Sequence, residues 1–138
     1  MSVCLWDIVD SKGISSLSGW AHAERLNAAD RAALNGKLDL LTQLGFDYAM
    51  RTGIVRGPLA VDRHIYKLRA VAESRTFLLF LCCGPLEPTA STVLSATVLS
   101  AALEVDGHMH PPTSLQVAQA ARQALIMNPK LRVLHERF

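Results

Sequence analysis

Two strand-like segments separated by a short polar turn lie in the middle of the sequence. Polar and apolar side chains alternate over residues 64–71, and an almost continuous apolar run follows Arg75 as far as Cys83. The alternation is typical of a half-buried strand, and the unbroken run is typical of a strand that is covered on both faces. The pattern therefore predicts a β-hairpin at the centre of a sheet rather than at its margin.

Composition indicates a globular protein of ordinary domain size. The 138 residues are 50% hydrophobic and 19% charged, which predicts one sizeable core and a single domain over residues 1–138. The net charge of +2 is mildly basic. It does not by itself indicate a nucleic-acid partner, because a local basic face matters more than the sum of charges.

Three features predict a reduced, soluble, cytoplasmic protein without a membrane association. The first apolar run contains Asp7 and Asp10, which a secretory signal would not carry. No apolar stretch reaches the roughly 20 residues that a membrane helix needs. Cys82 and Cys83 are adjacent in one predicted strand, so their side chains point to opposite faces and do not form a disulfide.

The segment before the hairpin predicts one strand and two helices. Residues 3–9 favour a short strand, and residues 15–26 favour a weak helix. Asn27 is a good N-cap for a stronger helix that runs through Leu44, and Gly45 supplies its stop. Because almost no linker separates the two helices, we expect them to form a helical hairpin on the sheet.

The segment after the hairpin predicts one strand and one helix. Residues 84–88 contain glycine and two prolines and should break the sheet, whereas residues 92–103 favour a third long strand. A last helix is expected over residues 113–127, before Asn128. We therefore predict an α+β fold with a mainly antiparallel central sheet, an N-terminal helical hairpin and a C-terminal helix.

Cationic side chains are concentrated around the predicted hairpin. Lys67 and Arg69 share one strand face, about 7 Å apart along the strand, and Arg75 is expected to return near them across the turn. Such a cluster predicts a clamp for phosphate groups, since guanidinium donors match phosphate oxygens. The alternative interpretation is a solvated face with a surface ion pair to Glu73. Further cations that could extend an RNA-binding surface are Arg51, Arg56 and Arg63.

Two histidines before the last predicted helix are candidates for proton transfer. His108 and His110 lie at alternating positions, and an imidazole titrates in the neutral range that general acid–base catalysis of RNA cleavage requires. The alternative interpretation is a polar turn. A metal-dependent hydrolase using these two residues with His64 is a third hypothesis, but the spacing supplies no complete ligand set, so we predict no metal.

The order of these elements and several short strings resemble the RelE/HigB-like superfamily, in particular its phage-derived branch of toxin-like proteins. Residues 65–69 look like that family's aromatic-x-Leu-Arg strand, and Arg75 looks like the opening of its next strand. Further matching features are Trp6, residues 10–13, the helix end at residues 40–45, and Pro111 with Pro112.

The resemblance implies both a site and a set of partners. Toxins of that family are small ribonucleases that cut messenger RNA in the ribosomal A site without a metal or other cofactor, and a cognate antitoxin blocks them. By position, Arg69 and Arg75 would contact the substrate phosphate or the transition state, where cations stabilise developing negative charge. The implied partners are RNA or the ribosome and an antitoxin protein, and the oligomeric state is not indicated.

Two functional hypotheses follow. The leading one is a toxin-like RNA- or ribosome-binding protein that acts as a metal-independent mRNA endoribonuclease, with His108 or His110 as proton carrier. The alternative is a non-catalytic phage or prophage accessory or structural protein on the same scaffold, acting by protein–protein binding. Glu104 and Asp106 favour the alternative, because they are acidic in a stretch where the toxins carry lysines.

Overall fold

In the computed structural model, which describes residues 2–84 and 95–138, helices and strands follow one another closely. The strands of this described part are β1 (Cys4–Ile8), β2 (Val55–Arg56), β3 (Ile65–Val71), β4 (Thr76–Cys83), β5 (Ser95–Val105), β6 (His108–His110) and β7 (Arg132–Leu134). Its helices are α1 (Ser16–Ala23), α2 (Ala28–Leu44), α3 (Phe46–Arg51) and α4 (Ser114–Met127).

The strands form one mixed sheet with the order β2-β3-β4-β5-β1-β7. β1 runs parallel to β5, with Cys4 opposite Ser95, and every other pairing is antiparallel. The short β6 lies off this path and pairs with the far end of β5. The predicted hairpin is confirmed as β3 and β4, with Val71 opposite Thr76, and it lies within the sheet because β2 and β5 flank it.

Side-chain alternation divides the apolar core between the two faces of the sheet. One face, here called the three-helix face, buries Leu68 and Phe77 beneath α1, α2 and α3. The other, the α4 face, buries Leu78 and Phe80 beneath α4, where Ala118 is fully buried. β4 is therefore covered on both faces, as its continuous apolar run predicts.

The ends of α2 are the best predicted local features. The Asn27 side chain accepts a hydrogen bond from the Asp30 backbone N–H at 2.8 Å, and Asp30 accepts one from the Asn27 N–H at 3.0 Å, which completes a capping box. Gly45 ends the helix with φ of 93°, a conformation that favours glycine.

The expected RelE-like arrangement of elements is wrong. α1 packs chiefly on β1 and β5, whereas α2 packs on β3 and α3, so the two helices are not a helical hairpin laid on the sheet as a unit. The described chain has four helices, because α3 follows directly after Gly45, and seven strands with a parallel pair. β2, β6 and β7 have two or three residues each, too short to produce a recognisable alternation in the sequence.

Further sequence expectations can be compared with the described residues. Cys82 and Cys83 lie on opposite faces and form no disulfide, as predicted. Within the described ranges, no helix combines the length and the apolar character needed to cross a membrane. The break predicted at 85–88 and the strand start predicted at 92–94 fall on residues outside those ranges.

Candidate functional site

Four cationic side chains from three different elements line one concave surface of about 510 Å³, here called the cation pocket. α2 contributes Lys37, β2 contributes Arg56, and β3 contributes Lys67 and Arg69. The remaining lining residues are Gly53, Ile54 and Val71. The pocket lies at the β2 end of the sheet.

The pleat of β3 explains why its cations reach the pocket. Leu68 and Ala70 are fully buried on the three-helix face, so Lys67 and Arg69, which alternate with them along β3, point the other way. Lys67 is accordingly half-buried and Arg69 is exposed on the α4 face, at the margin of the sheet. The sequence prediction that these two cations share one face is confirmed.

β2 brings a third cation to the same place. Arg56 lies directly opposite Lys67 in the antiparallel pair, so the two side chains emerge on the same face. β2 ends there, because the next residue is Gly57, with φ of 142°; a Cβ at that position would lie 2.8 Å from the Tyr66 ring. Only glycine fits so close to β3.

The charged side chains that line the cation pocket are all positive. Like charges directly opposite each other on neighbouring strands repel, and Arg56 and Lys67 are such a pair. No carboxylate occurs among the described residues that line the pocket. Glu104 of β5 lies beside it and accepts a hydrogen bond from Arg69 Nε at 2.8 Å, so one of the cations is partly neutralised.

Arg75 does not join this cluster. It donates hydrogen bonds to the Glu24 backbone oxygen at 3.0 Å and to the Asp30 carboxylate, and its guanidinium lies 5.2 Å from the centre of the Phe77 ring. Its backbone oxygen accepts a hydrogen bond from the Ala72 N–H, which places Arg75 opposite Ala72 across the turn. Because Ala72 packs on the three-helix face, the Arg75 side chain emerges on that face too. The expectation that Arg75 returns beside Lys67 and Arg69 is therefore wrong.

Arg75 holds the N-terminus of α2 in place. Burial raises the pKa of Asp30, but the hydrogen bond from Arg75, the Asn27 N–H and the charges of Arg75 and Arg31 outweigh it and leave the pKa below the ordinary value. The Asp30 carboxylate is almost fully buried, so it depends on these partners. This geometry gives Arg75 a structural role.

The candidate proton carriers lie away from the cation pocket. His110 is opposite Leu103 in β6 and β5, and Leu103 is opposite Phe77, which puts both β6 histidines on the three-helix face. Arg69 lies on the other face, and β4 and β5 separate β3 from β6, a distance of about 14 Å at the usual strand spacing. The structure does not bring His108 or His110 to Arg69.

The other candidates are dispersed. Arg51 forms an exposed ion pair with Asp47 at 3.3 Å, and Arg63 and His64 are exposed in the segment before β3. Among residues 2–84 and 95–138, no group of three or more histidine, cysteine or acidic side chains could hold a metal ion. Of the expected RNA-binding residues, only Arg56 and Lys67 line the cation pocket, where Arg69 joins them.

Lys37 is the pocket residue that sequence reasoning missed. It interrupts the buried stripe of Leu34, Leu38 and Leu41 on α2. In the sequence it is therefore only one more polar position on an amphipathic helix. Its distance from β3 depends on how α2 crosses the sheet, which has no local sequence signal.

Comparison with known proteins does not place this chain in a family. No protein-family model, no curated protein and no solved structure matches this chain. The resemblance to RelE/HigB-like toxins therefore stays a prediction from the residues alone.

Proposed function

We propose that this protein binds single-stranded RNA by its sugar–phosphate backbone in the cation pocket. The observation that carries the proposal is the opposition of Arg56 and Lys67, with Arg69 and Lys37 around the same concave surface. Such a cluster is electrostatically unfavourable when empty, and phosphate groups would relieve the repulsion. Residues 65–69 resemble the aromatic-x-Leu-Arg strand of the RelE/HigB-like toxins, which cleave messenger RNA, and this resemblance supports RNA as the polyanion.

The lining of the pocket supports backbone recognition rather than base recognition. Its uncharged lining residues are Gly53, Ile54 and Val71, so no described lining residue offers an aromatic ring on which a base could stack. Contacts to phosphate position a nucleic acid but carry no sequence information. Binding should therefore be independent of sequence and strongly dependent on salt.

The proposal concerns binding alone. Cleavage of RNA needs a proton carrier within hydrogen-bond reach of the reacting hydroxyl. His108 and His110 occupy the three-helix face at the other side of β4 and β5. Arg69 can stabilise charge on a bound phosphate, but the Glu104 carboxylate beside it is held in an ion pair with its Nε at 2.8 Å, so we assign no general base.

The test is fluorescence polarisation with a labelled single-stranded RNA of mixed sequence. Lys67→Ala combined with Arg69→Ala should weaken binding about tenfold or more, and should reduce the slope of log affinity against log salt by about 1.4, the loss of two phosphate contacts. Lys12→Ala combined with Lys130→Ala is the matched control, because both lysines are exposed and the change in net charge is the same.

The outcomes separate a site from a general charge effect. Equal weakening by the two double variants would show that only net charge matters and would refute the cation pocket as the binding site. DNA of the same sequence provides a further comparison, and DNA binding as tight as RNA binding would refute the preference for RNA.

A further inference from the structure

A gap in the sheet lies beside the middle of β5. One side of β5 is occupied by β4. On the other side, β1 pairs with residues 95–98 and β6 pairs with residues 103–105. No strand of the described chain pairs with residues 99–102 on that side, because β1 ends at Ile8 and β6 ends at His110.

This gap contains a cavity of about 280 Å³, here called the apolar cavity. α1 lines it with Leu17 and Trp20, which belong to the core of the three-helix face, and α4 lines it with Ala121, which belongs to the core of the α4 face. Apart from Ser16 and Ser100, every described residue that lines the cavity is apolar. The cavity therefore extends between the two layers where the sheet lacks a strand.

One polar group in the wall of the apolar cavity lacks a partner. The indole N–H of Trp20 is buried, and it has no hydrogen-bond partner within the part of the chain that the structure describes. The Phe77 ring lies nearly perpendicular to the indole, with 5.6 Å between the ring centroids, and holds it in place. A buried donor without an acceptor is unfavourable, so a ligand that supplies an acceptor would be stabilised here.

We propose that the apolar cavity binds a small neutral carbonyl compound, with the Trp20 indole N–H as the donor to its oxygen. An apolar cavity of about 150 Å³ is enough to bind benzene, so this larger cavity has room for a ring with a short substituent. The lining excludes a charged ligand, because it offers no counter-ion to a buried charge. A single carbonyl oxygen matches the single unpartnered donor.

The rim of the apolar cavity gives such a ligand a route from solvent. Val117 of α4 is 52% exposed, and Ser16 at the start of α1 is also exposed. The facing positions Ala121 and Ala124 carry only methyl groups, which leaves the space between α4 and the sheet open. Entry therefore requires no separation of the two layers.

The proposed site is independent of RNA binding. The apolar cavity lies on the β1 side of β5, whereas the cation pocket lies beside β2, on the far side of β3 and β4. The two sites share no lining residue. Either proposal can therefore fail without the other.

The first test is a proton–nitrogen correlation spectrum of the wild-type protein during titration with acetophenone. The chain has two tryptophans, so two indole N–H signals are expected, and Trp6→Phe or Trp20→Phe assigns them. Acetophenone should move the Trp20 signal downfield and saturably, because a new hydrogen bond deshields the proton, and should leave the Trp6 signal in place. α-Methylstyrene, in which a methylene group replaces the carbonyl oxygen, should bind without this downfield shift.

The second test compares the affinities of the two ligands for wild type and Trp20→Phe, measured by the shifts of backbone amide signals. The preference for acetophenone over α-methylstyrene should be about fivefold greater in the wild type, the contribution of one neutral hydrogen bond. The different hydration of the two ligands cancels, because each ligand is measured against both proteins.

The third test fills the apolar cavity. Ala121→Leu should weaken the binding of both ligands about tenfold or more, because its side chain occupies the space of the ligand. Ala120→Leu is the matched control, since Ala120 is exposed on the same helix and does not line the cavity, and it should leave both affinities within about twofold.

Circular dichroism verifies that each variant is folded. Three results would each overturn the proposal: no saturable binding to the wild type, an equal ligand preference in the wild type and folded Trp20→Phe, or folded Ala121→Leu that binds as tightly as Ala120→Leu. A Trp20 indole signal that acetophenone and α-methylstyrene move alike would also overturn it.

Discussion

Among the described residues, Glu104 is the acidic residue that forms an ion pair with a cation of the pocket. Its carboxylate holds Arg69, whose side chain is 54% exposed, in an ion pair at 2.8 Å. A phosphate group that enters the pocket must compete with this carboxylate for the guanidinium. Glu104 thus limits how freely Arg69 can contact a bound phosphate.

Replacing Glu104 should strengthen RNA binding. Glu104→Gln keeps the size of the side chain but removes the competing charge, and an exposed ion pair is worth about 0–1 kcal/mol, so we expect a two- to fivefold gain in affinity. Polarisation titration at low salt measures it. Glu73→Gln, an equal charge change on the exposed β3–β4 turn, should leave the affinity unchanged. Equal gains from both variants would contradict a local role for Glu104.

At the residue scale, the sequence predicts which face of the sheet a side chain occupies better than it predicts which side chains lie beside it. Alternation within one strand is enough to put Lys67 and Arg69 on one side. Whether Arg75 joins them depends on the register across the turn, in which Ala72 is opposite Arg75 and both follow the three-helix face. A shift of one residue in that register would have put Arg75 on the α4 face with Lys67 and Arg69.

At the scale of elements, the ion pair of Arg75 and Asp30 connects the start of β4 to the first turn of α2. Asp30 also completes the capping box, so one buried carboxylate serves both the helix and its attachment to the sheet. The helix ends were predictable because caps have local signals. The attachment was not, since it joins residues that are distant in sequence.

Arg75→Gln should destabilise the protein without weakening RNA binding. It leaves a buried carboxylate without its cation, so we expect the free energy of unfolding to fall by about 3 kcal/mol at neutral pH. Because the folded-state pKa of Asp30 is lowered, this contribution is complete above the ordinary carboxyl pKa of about 3.9 and disappears as the pH falls through the folded-state value.

Urea denaturation of the wild type and of Arg75→Gln over a series of pH values measures this difference. The difference in free energy of unfolding between the two proteins should narrow steadily as the pH falls into the acid range. Arg51→Gln is the control, since its ion pair with Asp47 is exposed and should contribute less than about 0.5 kcal/mol. A loss of RNA affinity in folded Arg75→Gln would contradict the structural role assigned to Arg75.

At the scale of the whole molecule, a buried polar group joins distant parts of the chain. Asp7 in β1 accepts a hydrogen bond from the Ser15 hydroxyl at 2.9 Å, and its other carboxylate oxygen lies 2.9 Å from His135 Nδ1. The Asn35 side chain exchanges two further hydrogen bonds with the backbone of Phe138. The segment after α4, whose structure the sequence did not indicate, is thus fixed to β1 and α2.

His135→Ala should lower the global stability. The nearly buried Asp7 carboxylate would lose one of two partners, and a hydrogen bond to a charged group is worth about 1.5–3 kcal/mol. The midpoint temperature of thermal unfolding should fall by the same amount by far-ultraviolet circular dichroism and by tryptophan fluorescence, because the protein unfolds as one cooperative unit. Non-coincident shifts would instead show that residues 131–138 unfold separately from the rest.

The strand order was harder to predict than the elements themselves. β3 was predictable from its alternation, β4 and β5 from their apolar and β-branched runs, and α4 from its stop signal, because each is long enough to carry such a signal. It could not show that β1 runs parallel to β5, or that β7 forms an edge, since pairing between distant segments has no local signature. The cation pocket shares this difficulty, because α2, β2 and β3 meet there only through tertiary packing.

The position of β1 has a consequence for the order of assembly. Both of its neighbours come from later in the chain, residues 95–98 on one side and 132–134 on the other. β3 and β4, by contrast, are joined by a short turn and close only a small loop, which favours early pairing. Pairing of β1 therefore closes far longer loops than pairing of β3 with β4, and we expect β1 to join the sheet late, once residues 95–98 and 132–134 can pair with it.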